Sequence, residues 1–388
     1  MAVKTVSDRI SVVFVTTTFN QEIGSGPELY ARNIWDFFGE HPGIEMHMVC
    51  LTSDIDHPRV HVVESVPTGP GVRAYAAVEE KLKEVLGEFP SAPIVHVNSA
   101  HIISADLVDS TNAMIQINDT EVACWRPDLV TLRTYGLRRF LAIGWRRIRE
   151  RGAVKCASRV VCNSEYTAAT IRSAYGRDDA QVIYKAADLS GFWSVAGKRE
   201  MSSTSPIRLC FLGSNWKIKG LDILFAALRR LQSEAGDSYR LAIYGGDFVR
   251  DAEELNRQVA AMDLAKSATY HGRLKREEVP AALGDADIFV MPSRSEALGV
   301  SAIEALATGM PVVATNVGGL PEVVSDPRCG MLVLPEDPVR LADAIRSTAL
   351  TRLKDPEETQ WRARSVEKFH TERLYQELVE LYQECSRA

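Results

Sequence analysis

Short apolar runs rich in valine, isoleucine and leucine alternate with longer amphipathic segments along most of this chain. In the first half the runs SVVFVT (11 to 16), EMHMVCL (45 to 51), VHVV (60 to 63), PIVHV (93 to 97), AMIQI (113 to 117), RVVC (159 to 162) and QVIY (181 to 184) predict strands. In the second half IRLCFL (207 to 212), RLAIYG (240 to 245), ATYHG (268 to 272), DIFVM (287 to 291), PVVAT (311 to 315) and GMLVL (330 to 334) repeat the pattern. Strands interleaved with helices predict parallel βαβ units, an α/β fold. After the first strand of the second half, Leu221, Leu224, Phe225, Leu228 and Leu231 follow helical spacing, as do Leu374, Leu378, Leu381 and Tyr382 near the end. Between Asp188 and Pro206 few apolar residues and a Ser/Thr cluster predict an interdomain linker. The expected domains are residues 1 to 190 and 205 to 369, each an open α/β unit, with a ligand cleft between them.

Bulk properties narrow the class. The chain has 388 residues, 46% hydrophobic and 25% charged, which suits two globular domains. A formal net charge of -6 gives no sign of a nucleic-acid partner. No apolar run approaches the roughly 18 residues that span a bilayer, and the first residues lack a signal-peptide cleavage pattern. Seven cysteines, Cys50, Cys124, Cys156, Cys162, Cys210, Cys329 and Cys385, are scattered and read as mostly strand-borne, buried, reduced thiols of a cytoplasmic protein.

The most informative chemistry lies in MPSRSEALGVSAIEALATGMPVVATNVGGLPEVV, residues 291 to 324. A strand stops at Pro292, a Ser-rich turn presents Glu296, and Gly299 leads into a helix that carries Glu304. The carboxyl end of a strand and the start of a helix is where open α/β sheets bind ligands. Carboxylates repel phosphate, so these two acids match neutral hydroxyl groups, such as those of a sugar, around a diphosphate held by other residues.

This segment resembles the E-x7-E signature of retaining glycosyltransferases of the GT-B fold, family four, which reads E-G-F-G-x-x-x-x-E-A-M-A-x-G-x-P-V-V-A-T. The residues that carry the resemblance are Glu296, Ala297, Leu298, Gly299, Glu304, Ala305, Leu306, Ala307, Gly309 and Pro311, followed by Gly318, Gly319 and Glu322. The resemblance implies two Rossmann-like α/β/α domains facing each other across a cleft, the second binding the donor and the first the acceptor. It also implies that a terminal helix over about 370 to 388 packs back on the first domain. It places Glu296 and backbone groups from Ala297 and Leu298 to Val300 on sugar hydroxyls, and Glu304 on the nucleotide ribose.

A second motif is FLGSNWKIKGLDIL, residues 211 to 224. A strand ends at Gly213 and Gly220 opens a helix, so Lys219 is placed to bring a cation to a diphosphate. The resembled family reads G-R-x-x-x-x-K-G here, with both basic residues on the donor diphosphate. Gly213, Lys219 and Gly220 match, but Ser214 replaces the arginine and loses its charge and fork. Lys217, in the same loop, is a candidate to compensate.

Near the start, Gly24-Ser25-Gly26 precedes Pro27, which suits the opening of a helix with Tyr30, Ile34, Phe37 and Phe38 turned inward. Gly24 and Gly26 let backbone N–H groups approach an anion or sugar closely. GSGPEL imitates a dinucleotide fingerprint, but Leu29 stands where its third glycine belongs. The resembled family uses a Gly-Gly loop here near the donor phosphates. Asn118 follows the strand AMIQI, where family members often have a histidine close to the donor sugar; as an asparagine it hydrogen-bonds but does not titrate, and it equally suits a turn cap. By resemblance Arg273, after a strand of the second half, lies where the nucleotide base is read.

Residues 136 to 155 form a basic amphipathic stretch with Leu137, Phe140, Leu141, Trp145 and Ile148. It reads first as a helix packed on its own domain with a solvated basic face, and second as a helix lying on a membrane surface. The resulting expectation is a glycosyltransferase that needs neither metal nor cofactor. It moves a sugar from a nucleotide-diphosphate donor, a UDP-sugar foremost, to a hydroxyl acceptor with retention. Candidate catalytic residues are Glu296, Lys219 and Asn118. The alternatives are a sugar-nucleotide epimerase of the same fold and a catalytically weak nucleotide-sugar-binding protein.

Overall fold

A computed structural model describes residues 9–20, 26–63, 72–124, 129–197, 206–246, 249–351 and 356–387. The chain divides into two compact units, Met1–Lys185 with Glu372–Ala388, and Ala186–Thr371. Each is built on one parallel sheet.

In the first unit the strands are β1 (Ile10–Phe19), β2 (Ile44–Ser53), β3 (Val60–Val62), β4 (Ile94–Val97), β5 (Met114–Ile117), β6 (Arg159–Cys162) and β7 (Gln181–Val182). Their order is β3-β2-β1-β4-β5-β6-β7, with every neighbouring pair parallel. Val12 to Val15 are all fully buried, as a strand covered on both faces requires. The final helix, Thr371–Arg387, belongs to this unit. Its Tyr375 stacks on Phe37 with centroids 3.9 Å apart, and its Tyr382 hydroxyl lies 2.7 Å from His96 Nδ1. Burial pushes His96 down to about 3, so this imidazole stays neutral in the core.

The second unit holds β8 (Ile207–Leu212), β9 (Tyr239–Tyr244), β10 (Ala268–Gly272), β11 (Ile288–Met291), β12 (Val312–Thr315) and β13 (Gly330–Val333). Their order is β10-β9-β8-β11-β12-β13, again all parallel. Both sheets therefore reverse direction beside their first strand, the doubly-wound arrangement in which ligands bind outside the carboxyl ends at the reversal. The Leu221–Ala235 helix buries the five apolar residues that its spacing marked. Arg362, fully buried, donates to Gly309 O at 2.8 Å and to Glu358 at 2.9 Å, fixing the corner between the Val300–Ala307 helix and β12.

Three expectations need correction. The segment read as a linker contains a helix, Ser190–Ala196, whose Phe192 is buried, and it belongs to the second unit. Its seven residues, about two turns, are too few to show a period in sequence. All seven cysteines are free, but only Cys50, Cys162 and Cys210 lie in strands; Cys124 and Cys156 are exposed at helix ends and Cys385 is half-buried. The basic stretch lies within a helix, Leu129–Cys156, but its apolar set is not its buried face. Leu137, Leu141 and Ile148 are exposed, whereas Ile143, Ala153 and Val154 are buried and Trp145 stacks on Tyr75. Among the described residues no helix is long and apolar enough to cross a membrane.

Candidate active site

Lys219 is delivered by the loop after β8. Beyond Leu212 the chain turns through Asn215, held at a φ of 52°, and closes with the Lys219 N–H on Asn215 O at 3.0 Å and the Leu221 N–H on Trp216 O at 3.0 Å. Gly220 has a φ of 69°, and a Cβ there would collide with the Pro292 carbonyl. Only glycine lets the β8 loop lie directly on the turn after β11.

That turn, from Pro292 to Gly299, carries Glu296 and is held from three sides. Thr315 Oγ1 donates to Ser293 O at 2.6 Å, the Arg294 N–H to Ile218 O at 2.8 Å, and the Gly319 N–H to Glu296 O at 3.2 Å. Gly318, at a φ of 58°, packs so closely that a Cβ would overlap the Glu296 carbonyl oxygen. The outcome is that Lys219 Nζ donates to Glu296 Oε2 in an ion pair that is mostly buried, the two side chains keeping 23% and 12% of their exposure. β8 and β11 are neighbours across the reversal of the sheet, so this pair stands at the ligand-binding position of the fold. Beside it the Val300–Ala307 helix starts at Gly299, where unsatisfied N–H groups favour an anion. Leu298 is buried under the turn, and Ala297 and Val300 are half-buried.

Glu304 lies on the same helix, but it faces a partner that sequence reading did not single out. Arg276 Nη1 donates to Glu304 Oε1, and the carboxylate is 5% exposed against 35% for the arginine. Burial raises the Glu304 carboxyl above its usual range and Arg276 pulls it partly back. The Glu304 carboxylate is therefore already engaged by Arg276. Gly213 follows β8 directly and Ser214 is exposed beside it; Lys217 is exposed too, its Nζ 5.4 Å from the Trp216 ring centroid. Arg273 is exposed immediately after β10.

In the first unit an asparagine follows each of three adjacent strands: Asn98 after β4, Asn118 after β5 and Asn163 after β6. Asn118 Nδ2 donates to Asn98 O at 3.0 Å and to Asn98 Oδ1 at 2.7 Å, while Asn163 Nδ2 donates to Asn118 O at 2.8 Å. Asn98 Nδ2 in turn donates to Pro27 O at 3.3 Å, so three backbone carbonyls fix how these amides point. Asn118 Oδ1 is buried without a protein partner. Sequence reading found Asn118 alone, although VHVN, IQIN and VVCN repeat one pattern of strand followed by asparagine. Gly26 opens the Gly26–Phe38 helix; Gly24 and Ser25 lie outside the described residues. Among the described residues no three histidine, cysteine, aspartate or glutamate side chains gather as a metal-binding set.

Comparison with known proteins agrees with this division. Residues 206–350 match the family model for glycosyl transferases group 1, and residues 25–190 match that for Glycosyltransferase Family 4. A curated relative is the D-inositol 3-phosphate glycosyltransferase of Paenarthrobacter aurescens (strain TC1), 34% identical over 206 residues, 50% of this chain and 50% of the relative. The chain spans about half the length of the curated relatives of that name that it matches. Among solved structures, sucrose-phosphate synthase from Thermosynechococcus elongatus superposes with a TM-score of 0.76 at 18% identity, over 97% of this chain and 99% of that one. Anabaena HepE, solved with UDP and glucose, gives 0.71 at 18% identity, over 97% and 100%. Both likenesses concern the fold, which is two parallel-sheet α/β units of the GT-B kind. With one family model on each of its two units, the chain belongs to the group 1 glycosyl transferases.

Proposed function

We propose that this protein is a retaining glycosyltransferase that moves a sugar from a nucleotide-diphosphate donor, a UDP-sugar foremost, to a hydroxyl acceptor. The observation that carries the reading is the Lys219–Glu296 pair beside a helix start at the sheet reversal. A diphosphate arriving there is the stronger partner for the ammonium, since it offers more charge than one carboxylate. Lys219 then moves to the phosphates, and Glu296 is released to accept hydrogen bonds from sugar hydroxyls. That HepE was solved with UDP and glucose supports this donor class.

In the reaction the bond between the anomeric carbon and the diphosphate oxygen breaks, and the acceptor oxygen bonds to that carbon on the same face. The acceptor proton passes to the departing diphosphate. Charge on that leaving group is the main quantity to stabilise, and Lys219, once on the phosphates, does so together with the fixed N–H groups at the start of the Val300–Ala307 helix. In this account Lys219 fills the part that a metal ion plays elsewhere. Backbone groups from Ala297 to Val300 hold the sugar, and Arg273 lies on the base side.

The test is incubation with a panel of nucleotide sugars and hydroxyl acceptors, with and without a chelator, followed by mass spectrometry and NMR of the anomeric linkage. A retained-configuration glycoside, formed equally with the chelator, is the expected product. An epimerised donor would identify an epimerase instead, and binding without turnover a nucleotide-sugar-binding protein.

A further inference from the structure

The motif around Glu296 contains an arginine that the proposed reaction does not use. Arg294 stands two positions before Glu296, and all five of its side-chain N–H donors are engaged. Nη1 and Nη2 grip Asp222 Oδ1 and Oδ2 at 2.7 and 2.8 Å. Nη1 also donates to the Lys217 carbonyl, Nε donates to Glu336 Oε1, and Nη2 reaches Glu336 Oε2 at 3.1 Å. The Arg294 backbone N–H meanwhile donates to Ile218 O at 2.8 Å.

The partners bracket the catalytic loop. Lys217 and Ile218 are the two residues before Lys219, and Asp222 lies three after it, in the first turn of the Leu221–Ala235 helix. Glu336 is held at a φ of 60°, a left-handed position that a non-glycine residue occupies only against some strain. The guanidinium thus spans both sides of the loop that carries Lys219, from within the turn that carries Glu296.

We propose that Arg294 is a positioning residue: it straps the β8 loop to the β11 turn and so sets the separation of Lys219 and Glu296. Magnitude argues for this over a role in overall stability. Arg294, Asp222 and Glu336 keep 32%, 37% and 55% of their side-chain exposure, so solvent screens much of the charge attraction. Saturating a planar fork with two carboxylates and a carbonyl yields directional restraint instead. A lysine keeps the charge and loses that geometry.

The inference rests on the proposed function, and a double-mutant cycle on UDP affinity separates the two. UDP dissociation constants are measured for the wild type, Lys219→Ala, Arg294→Met, Arg294→Lys and Lys219→Ala/Arg294→Met. Tm is followed for each. Arg294→Met should weaken UDP binding at least fivefold with Tm nearly unchanged, and Arg294→Lys should restore little of it. If Arg294 acts through Lys219, the double variant binds UDP no more weakly than Lys219→Ala alone. Additive losses, UDP affinity within twofold of wild type in Arg294→Met, or full rescue by lysine would overturn the strap. A Lys219→Ala variant that binds UDP like the wild type would remove the proposed function of the site, and the strap with it.

Discussion

Arg276 and Glu304, twenty-eight positions apart, form an ion pair whose acid is buried and whose base reaches the surface. Burial favours the neutral form of Glu304, so the folded protein holds that proton more tightly than the unfolded chain does. The stability this group gives is fully present below the ordinary carboxyl pKa and is lost as pH rises through its higher folded value. Removing Arg276 raises that value further and leaves an uncompensated carboxylate. Arg276→Ala should therefore cost roughly 2 kcal/mol at pH 8, below the figure for fully buried pairs because the arginine is partly solvated, and clearly less at pH 5. Urea unfolding at the two pH values measures this, and equal losses would count against it.

Glu150 makes the same argument in the first unit with a stated window. It is buried, accepts from the Tyr175 hydroxyl at 2.8 Å, and is pushed up to about 8, first by desolvation and next by the Asp119 carboxylate. Stability falls as pH rises from the ordinary carboxyl range through that value, by at most about 1.4 kcal/mol per pH unit. Glu150→Gln keeps an acceptor for Tyr175 and removes the titration. Its Tm should change less between pH 5 and pH 8 than that of the wild type, and it should be the more stable of the two at pH 8. A variant whose Tm follows the wild-type pH profile would refute this.

The strands were the most legible part of the sequence because parallel strands are buried on both faces and read as unbroken apolar runs. IRLCFL, RVVC and ATYHG have the ends read from the text, whereas QVIY shortens to Gln181–Val182 at a sheet edge. Lys219 and Glu296 were legible because each follows a strand at a turn. The arginines around them were not. Arg276 and Arg294 look like ordinary loop arginines until packing brings them to Glu304 and Asp222, 28 and 72 positions away. The buried face of the Leu129–Cys156 helix was misread for a related reason: arginine stems and Trp145 cover part of it, so residue hydrophobicity alone pointed to the exposed side.

Gly318 supports Glu296 by having no side chain. Gly318→Ala would both strain a positive-φ backbone and push on the Glu296 carbonyl, whereas a Cβ on Gly176, left-handed at a φ of 70°, would meet nothing within 4 Å. Both substitutions carry a backbone cost of about 1 kcal/mol. Gly318→Ala should add a further loss of stability and should also cut glycosyl transfer more than tenfold, while Gly176→Ala leaves transfer unchanged. Thermal melts and initial rates on the two variants test the difference, and similar behaviour would show that the contact does not position Glu296.

The central claim is that Lys219 and Glu296 pair in the free protein and divide between phosphate and sugar when donor binds. The most direct measurement is UDP affinity and transfer rate for Lys219→Ala and Glu296→Ala side by side, with folding checked by circular dichroism. Lys219→Ala should lose UDP affinity at least tenfold. Glu296→Ala should bind UDP as well as the wild type or better, because its lysine is released, yet lose transfer by about a hundredfold or more. Near-wild-type transfer by Glu296→Ala, or unchanged UDP affinity in Lys219→Ala, would contradict the account.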